Sequence, residues 1–470
     1  MGKMRKGGWL VMLLLLCTIR GAAQPLSQRI EALMESTGWL KTSEVGIAVY
    51  DLTDQQPLYR YQAEKLFRPA STEKIITSVT ALATLGTDYT FRTQLARTGD
   101  IVGDTLKGNL YVVGHFDPEF SESDLQHLSA AVEAAGIRYI SGSLLGDVTL
   151  MDSIPWGSGW AWDDAPGYYQ PYLSPLMLNR GCVEVKVVPS QKGEAPVVRL
   201  SPASDYCPVD NRAVSQQAAA GKLQVTRDWM NHRNTILVWG NAAHTTTVSL
   251  SVEGSADFFL QTLSYQLLQR GIRVEGGCSY GPCPSEALLV GKVVRPVQDV
   301  LARALKESDN LSAEALFFHT GLATAASLPI GFPQGQEAVC RFMEQQLHRS
   351  PKDYAITDGS GLSPYTLVSP DLMMDYLKYA AADASLFPAF EAALPIAGID
   401  GTLQHRMKEG KAYRNVRAKT GSVTGVSTLA GYVKQHSTGH RLAFVIFHQN
   451  VLSVKSARLF QDRLCEILSD

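Results

Sequence analysis

The chain has no surplus of positive charge: 43 Lys and Arg face 45 Asp and Glu over 470 residues, a formal net charge of −2. A nucleic-acid binder depends on a basic face, which this balance does not supply. There is no His-Glu-x-x-His pair, so the usual zinc-peptidase signature is missing. No internal repeat or low-complexity tract interrupts the sequence. Its strongest apolar run, residues 9–16, falls well short of the roughly 20 residues that span a bilayer. Cysteine is scarce, at seven residues.

That apolar run lies behind Lys3, Arg5 and Lys6 and ahead of the small residues Gly21, Ala22 and Ala23. A basic start, a short apolar stretch and a small-residue exit predict a cleaved secretory signal peptide over residues 1–23. Cys17 follows Leu16 rather than a small residue, which disfavours a lipid anchor. Cleavage removes four basic residues and no acid, deepening the net charge to about −6. Residues 24–470 exceed a typical domain of about 100–200 residues, so at least two domains are expected. Six cysteines remain: Cys182, Cys207, Cys278, Cys283, Cys340 and Cys465. An even number in an exported chain suggests disulfides. Cys278 and Cys283 flank a short Ser-Tyr-Gly-Pro segment and are the expected pair. Zinc is the rival for that pair, but no second Cys or His pair completes a tetrahedral site.

Residues 45–50 and 58–61 read as the two strands of a hairpin around a turn at 51–54. After Pro69 the period changes: Ile75, Ile76, Val79, Leu82 and Leu85 recur at helical spacing until Gly86. Residues 93–287 read differently, as short β-like runs between Gly, Pro and Asp turns, with helical patterns at 123–135 and 255–270. Trp156, Trp160, Trp162, Tyr168 and Tyr169 crowd one stretch of it, and packing is the default expectation for them. Helical patterns return near 296–306, 312–324 and 371–382. A late hairpin at 429–433 and 442–447 and a final amphipathic helix follow. Strands at both ends with helices between predict an α+β domain whose termini share one antiparallel sheet. It would comprise residues 24–92 and 288–470, with 93–287 inserted.

Three short motifs carry chemistry. Ser71-Thr72-Glu73-Lys74 opens the first helix, where residues three apart share a face. A serine hydroxyl needs an adjacent base, and a desolvated lysine can be one. The helix N-terminus adds a field favourable to developing negative charge. Ser308-Asp309-Asn310 falls between two expected helices, where Ser308 can relay a proton and Asn310 can hold an amide. Lys419-Thr420-Gly421 leads into a strand-like run at 422–432, where Gly421 allows close approach and Lys419 and Thr420 can grip a carboxylate. Each motif is the only one of its kind in the chain.

Together they resemble the penicillin-recognising serine enzymes. The long separation between the first two motifs is similar to the penicillin-binding protein 4 type of D-Ala-D-Ala carboxypeptidase/endopeptidase, peptidase family S13. Arg68-Pro69-Ala70, the segments 108–114, 308–315 and 394–403, and Asp358-Gly359-Ser360-Gly361-Leu362-Ser363 agree with it. The resemblance implies a β-lactamase/transpeptidase-like domain with a large accessory insertion, acting on peptidoglycan stem peptides and acylated by β-lactams. It implies Ser71 as nucleophile, Lys74 as base and Ser308 as proton relay. Asn310, Lys419, Thr420 and Ser422 would hold substrate, with the Ser71 and Ser422 N–H groups as oxyanion hole. In the inserted block, Asp164 and Tyr169 would meet the side chain of the diamino acid. Pro364 and Thr424 stand where the family often has Arg and Gln. No cofactor, metal, nucleic acid or membrane anchor is implied after signal cleavage, and the setting would be periplasmic or otherwise exported. A β-lactamase or esterase would share the motifs without needing the insertion. A non-catalytic peptidoglycan-binding protein would be expected to lose Ser71, Lys74 or Lys419, and all three are present.

Overall fold

The computed structural model describes residues 24–470; the predicted signal peptide lies outside the described residues. The hairpin patterns at the two ends of the sequence meet in one antiparallel five-stranded sheet. Its order is Arg417–Val423, Val426–Lys434, Arg441–Gln449, Glu44–Asp51, Gln56–Tyr61. Strand side chains alternate between faces, and here both faces are covered. Val45, Ile47 and Val49 join Phe444 and Ile446 beneath the helices Leu26–Glu35 and Val454–Ser469. Ala48, Ala443, Val445 and Phe447 join the opposite core, which packs the helices Glu73–Leu85, Asn310–Thr324, Phe332–Gln346 and Pro370–Ala382. The architecture is α+β, as the end patterns predicted.

A second apolar core gathers side chains between Leu95 and Val293. Its main sheet runs Cys278–Tyr280, Leu144–Asp147, Leu110–Gly114, Thr90–Arg97, Leu288–Pro296. The helices Glu122–Ala134 and Ser255–Gln269 contribute to that core. The strands Thr90–Arg97 and Leu288–Pro296, first and last of this sheet along the chain, are antiparallel partners with Thr90 opposite Pro296, so the chain leaves and rejoins the first core at one place. Two smaller three-stranded sheets extend this block.

Two expectations need correction. The run at 422–432 is not one strand but a hairpin: Val423 pairs with Val426, and Gly425 takes a φ of 75° in the turn. The expected Cys278–Cys283 disulfide is not formed, and all six described cysteines are free thiols. Cys278 to Tyr280 continue as a strand parallel to Leu144–Asp147, which carries the chain straight on instead of doubling it back. Cys278 then faces the Leu260 carbonyl, while the Cys283 N–H is held by Asp147. Among the described residues no helix is long and apolar enough to cross a membrane.

Candidate active site

Ser71 occupies the short 3-10 turn Ala70–Thr72 directly before the Glu73–Leu85 helix. The turn is strained: Ala70, a non-glycine residue, has a φ of 46°. What holds it is hydrogen bonding and close backbone approach. The Pro69 carbonyl accepts from Thr72 Oγ1 and Thr428 Oγ1, each at 2.7 Å. A Cβ on Gly361 would lie 2.0 Å from the Ala70 carbonyl oxygen. One on Gly421 would lie 2.1 Å from Thr428 Oγ1 and 3.0 Å from the Ser71 nitrogen. The edge strand Arg417–Val423 therefore lies against the serine only because position 421 has no side chain.

One helical turn on, Lys74 is fully buried. Its Nζ is 2.9 Å from Ser71 Oγ, 2.7 Å from Asn310 Oδ1 and 2.7 Å from the Ser360 carbonyl. Burial brings its ammonium down to about 7, against the opposing pull of Asp358, Glu314 and Glu73, which favour the charge. Those three acids are buried behind it. Asp358 accepts from the Gly361 and Ser363 N–H groups and from Trp160 Nε1. Glu314 accepts from the Gly359 N–H. Glu73 has no hydrogen-bond partner for either oxygen among the described residues, and burial, with Asp358 and Glu314 near it, holds its carboxyl well above the usual range.

Ser308 ends a single π-helical turn, Arg303–Glu307, in a left-handed conformation with φ of 62°. Lys419, buried in the edge strand, donates from Nζ to Ser308 Oγ at 2.8 Å and to the Thr420 carbonyl at 2.7 Å. Burial first, then Lys74, hold its ammonium well below the ordinary lysine range. Asp309 caps the Asn310–Thr324 helix at the Ser312 N–H and pairs with Arg180. Asn310 accepts from Lys74 and donates from Nδ2 to the Tyr169 carbonyl at 2.7 Å. The three motifs, 237 residues apart at their widest gap in sequence between Ser71 and Ser308, thus form one hydrogen-bonded group.

They face a cavity of about 490 Å³. Ser71, Ser308, Asn310 and Ser422 line it, and Asp164 and Tyr169 line it from the other block. Tyr169 donates its hydroxyl to Asp164 Oδ1 at 2.9 Å. Thr420 bonds Thr402 through its hydroxyl instead, and Lys419 reaches the cavity only through Ser308. The aromatic stretch divides. Trp156 and Trp160 pack inward as expected, whereas Trp162 and Tyr168 are exposed. Sequence reasoning missed Arg180 on the cavity wall, which no motif marks. It also missed the buried acids, although Glu73 lies inside the first motif.

A helix-borne serine against a buried, depressed lysine, beside the edge of an antiparallel sheet, is the arrangement of a serine acyl-transfer enzyme of the penicillin-recognising kind. The chain belongs to the D-Ala-D-Ala carboxypeptidase 3 (S13) family, whose model matches residues 26–470. It is a serine-type carboxypeptidase of that family, as the motifs implied. It is 31% identical to a D-alanyl-D-alanine carboxypeptidase of Actinomadura over 434 residues, covering 87% of this chain and 78% of that one. It is 29% identical to D-alanyl-D-alanine carboxypeptidase DacB of Haemophilus influenzae, covering 86% and 85%. The crystal structure of penicillin binding protein 4 from Haemophilus influenzae superposes with a TM-score of 0.82 at 26% identity, covering 94% of this chain and 99% of that one. The same protein has been solved with a β-lactam bound.

Proposed function

We propose that Ser71 attacks the carbonyl of a D-alanyl bond in a peptidoglycan stem peptide, with neutral Lys74 as general base. The contacts of Lys74 carry this reading. As an ammonium it donates to all three neighbours. As a neutral amine it keeps two N–H bonds, matched by the fixed acceptors Asn310 Oδ1 and Ser360 O, and turns its lone pair to the Ser71 hydroxyl. Ser71 Oγ then bonds to the carbonyl carbon while its proton passes to Lys74. The N–H groups of Ser71 and Ser422 take the oxyanion. Collapse breaks the C–N bond, and Ser308, fed by Lys419, passes a proton to the leaving amine. Water then attacks the ester and gives its proton through Ser308 to Lys419, while Lys74 returns the proton it took to Ser71 Oγ as the acyl–oxygen bond breaks. Asn310 orients the substrate amide, while Lys419, acting through Ser308, and Thr420 bias the site toward a terminal carboxylate. Asp164 and Tyr169 meet the third-residue side chain. The same chemistry opens a D-alanyl cross-link, so endopeptidase action belongs to the reading. So do acylation by β-lactams and export to the compartment that holds the substrate. We further infer that the block bounded by the paired strands Thr90–Arg97 and Leu288–Pro296 is an insertion into the catalytic domain, close to the 93–287 expected from sequence.

Incubation with a labelled penicillin should add its mass to the peptide containing Ser71, and Ser71→Ala should abolish the addition. Label that survives the substitution overturns the assignment. Rapid loss of label from the native chain would favour the β-lactamase reading instead.

A further inference from the structure

Asp164 and Tyr169 face the cavity, but the loop that carries them also has an outward side that the proposed reaction does not use. Trp162, two residues before Asp164, is 64% exposed. Its indole rests on that of Trp229, with ring centroids 5.4 Å apart and planes inclined by 38°. Trp229 belongs to a separate short turn, Trp229–Asn231, where Met230 is 63% exposed. Two segments distant in sequence thus bring two indoles together at the surface. Trp normally buries most of its large ring, and a contiguous exposed apolar patch beside a site marks a binding surface. The polar groups adjoining the rings are the exposed Asp163 and the Asp228–Asn231 pair, joined by a 2.8 Å hydrogen bond.

The substrate says what would lie there. The stem peptide hangs from an N-acetylated sugar of the glycan strand. With its D-alanyl end at Ser71 and its third residue at Asp164, two residues remain before that sugar. Extended, two α-linked residues span about 7 Å and the linker to the sugar adds to that, so the sugar lies beyond the cavity lip. A pyranose offers an uncharged face of C–H bonds that stacks on an indole, with hydroxyl and amide groups at its edge for carboxylate and amide partners. Adjacent acidic side chains favour that neutral ligand over an anionic surface. Building on the carboxypeptidase reading, we propose that Trp162 and Trp229 form a stacking platform for the N-acetylated sugar that carries the stem peptide, continuous with the cleft at Asp164.

The test compares one pentapeptide, free and attached to its N-acetylated disaccharide, on the full exported chain. Wild type should cleave the disaccharide form with kcat/KM higher by about fivefold, within the range of an aromatic contact, and the gain should lie in KM. Trp162→Ala, and separately Trp229→Ala, should bring the two substrates level while leaving the free peptide and penicillin acylation unchanged. Equal wild-type rates on both substrates overturn the platform, and this is also the result expected if the patch serves a protein partner. A disaccharide preference that persists in the double variant overturns it too, as does an equal loss on both substrates. If wild type cleaves neither form although Ser71 is acylated by penicillin, the carboxypeptidase reading fails and the platform with it.

Discussion

Lys74 has to be buried against Ser71 and yet uncharged when it acts, and the two demands are met by the same cause. Desolvation lowers its ammonium to about 7, while Asp358, Glu314 and Glu73 keep it from falling further. The sign follows directly: below about 7 the amine carries a third proton and has no lone pair, and above it the base is free. The second-order rate of penicillin acylation should therefore rise about tenfold per pH unit below 7 and level off above. A stopped-flow profile from pH 5 to 9 checks this, and a rate that is flat across that range would remove Lys74 as the base. Asp358→Asn removes the first of the charges that favour the ammonium, so its profile should shift towards acid.

Asp164 poses a different residue-scale question, because Tyr169 already bonds one of its oxygens. If the other meets the amino group of the third residue, Asp164→Ala should lower kcat/KM several-fold on amino-bearing stem peptides. That corresponds to about 1–2 kcal/mol, on the scale of hydrogen bonds to charged groups. Penicillin acylation, which offers no such amine, should barely change. An equal loss on both would show that Asp164 only holds its own loop.

At the scale of elements, the site depends on close approach between backbones. Gly421 lies in the edge strand with no positive φ, so the case for glycine there is steric alone: any Cβ meets Thr428 Oγ1, Pro69 O and the Ser71 nitrogen. Gly421→Ala should push the strand from the nucleophile turn. A displacement of about 1 Å can cost about 100-fold in rate, whereas overpacking costs about 1–3 kcal/mol of stability. The expected result is a large drop in acylation with a small fall in Tm, measured by labelling and by calorimetry. Unchanged acylation would mean that the strand does not position Ser71. The π-helical turn before Ser308 is a similar device, since it ends the helix with that serine in a left-handed conformation facing Lys419.

At the scale of the molecule, the central sheet is closed by the end of the chain. Arg441–Gln449 lies between Val426–Lys434 and Glu44–Asp51, so the N-terminal strand reaches the edge strand of the site only through it. Removing residues 441–470 should abolish both the cooperative unfolding transition and penicillin labelling, rather than merely lower stability. A truncated chain that still labels at Ser71 would show that the sheet can form without that strand.

Local pattern was enough for much of this. Ser71-Thr72-Glu73-Lys74, Ser308-Asp309-Asn310 and Lys419-Thr420-Gly421 are fixed by short-range spacing. The Glu73–Leu85 helix follows from its apolar period, and the two terminal hairpins follow from short apolar runs on either side of a turn. The helices Phe332–Gln346 and Phe387–Ala393 were not anticipated, and Leu26–Glu35 has no side-chain cap at its N-terminus to announce it. The chain continues straight on from Cys278 because its neighbours pair with Leu144–Asp147, a partner more than 100 residues away that spacing cannot reveal. Arg180 on the cavity wall, the Trp162–Trp229 contact and the acids behind Lys74 likewise depend on segments brought together by the two cores. The sequence determined which groups could react, because their spacing is local; only the tertiary structure decided their charge and company, because desolvation and long-range contact exist only once the chain has packed.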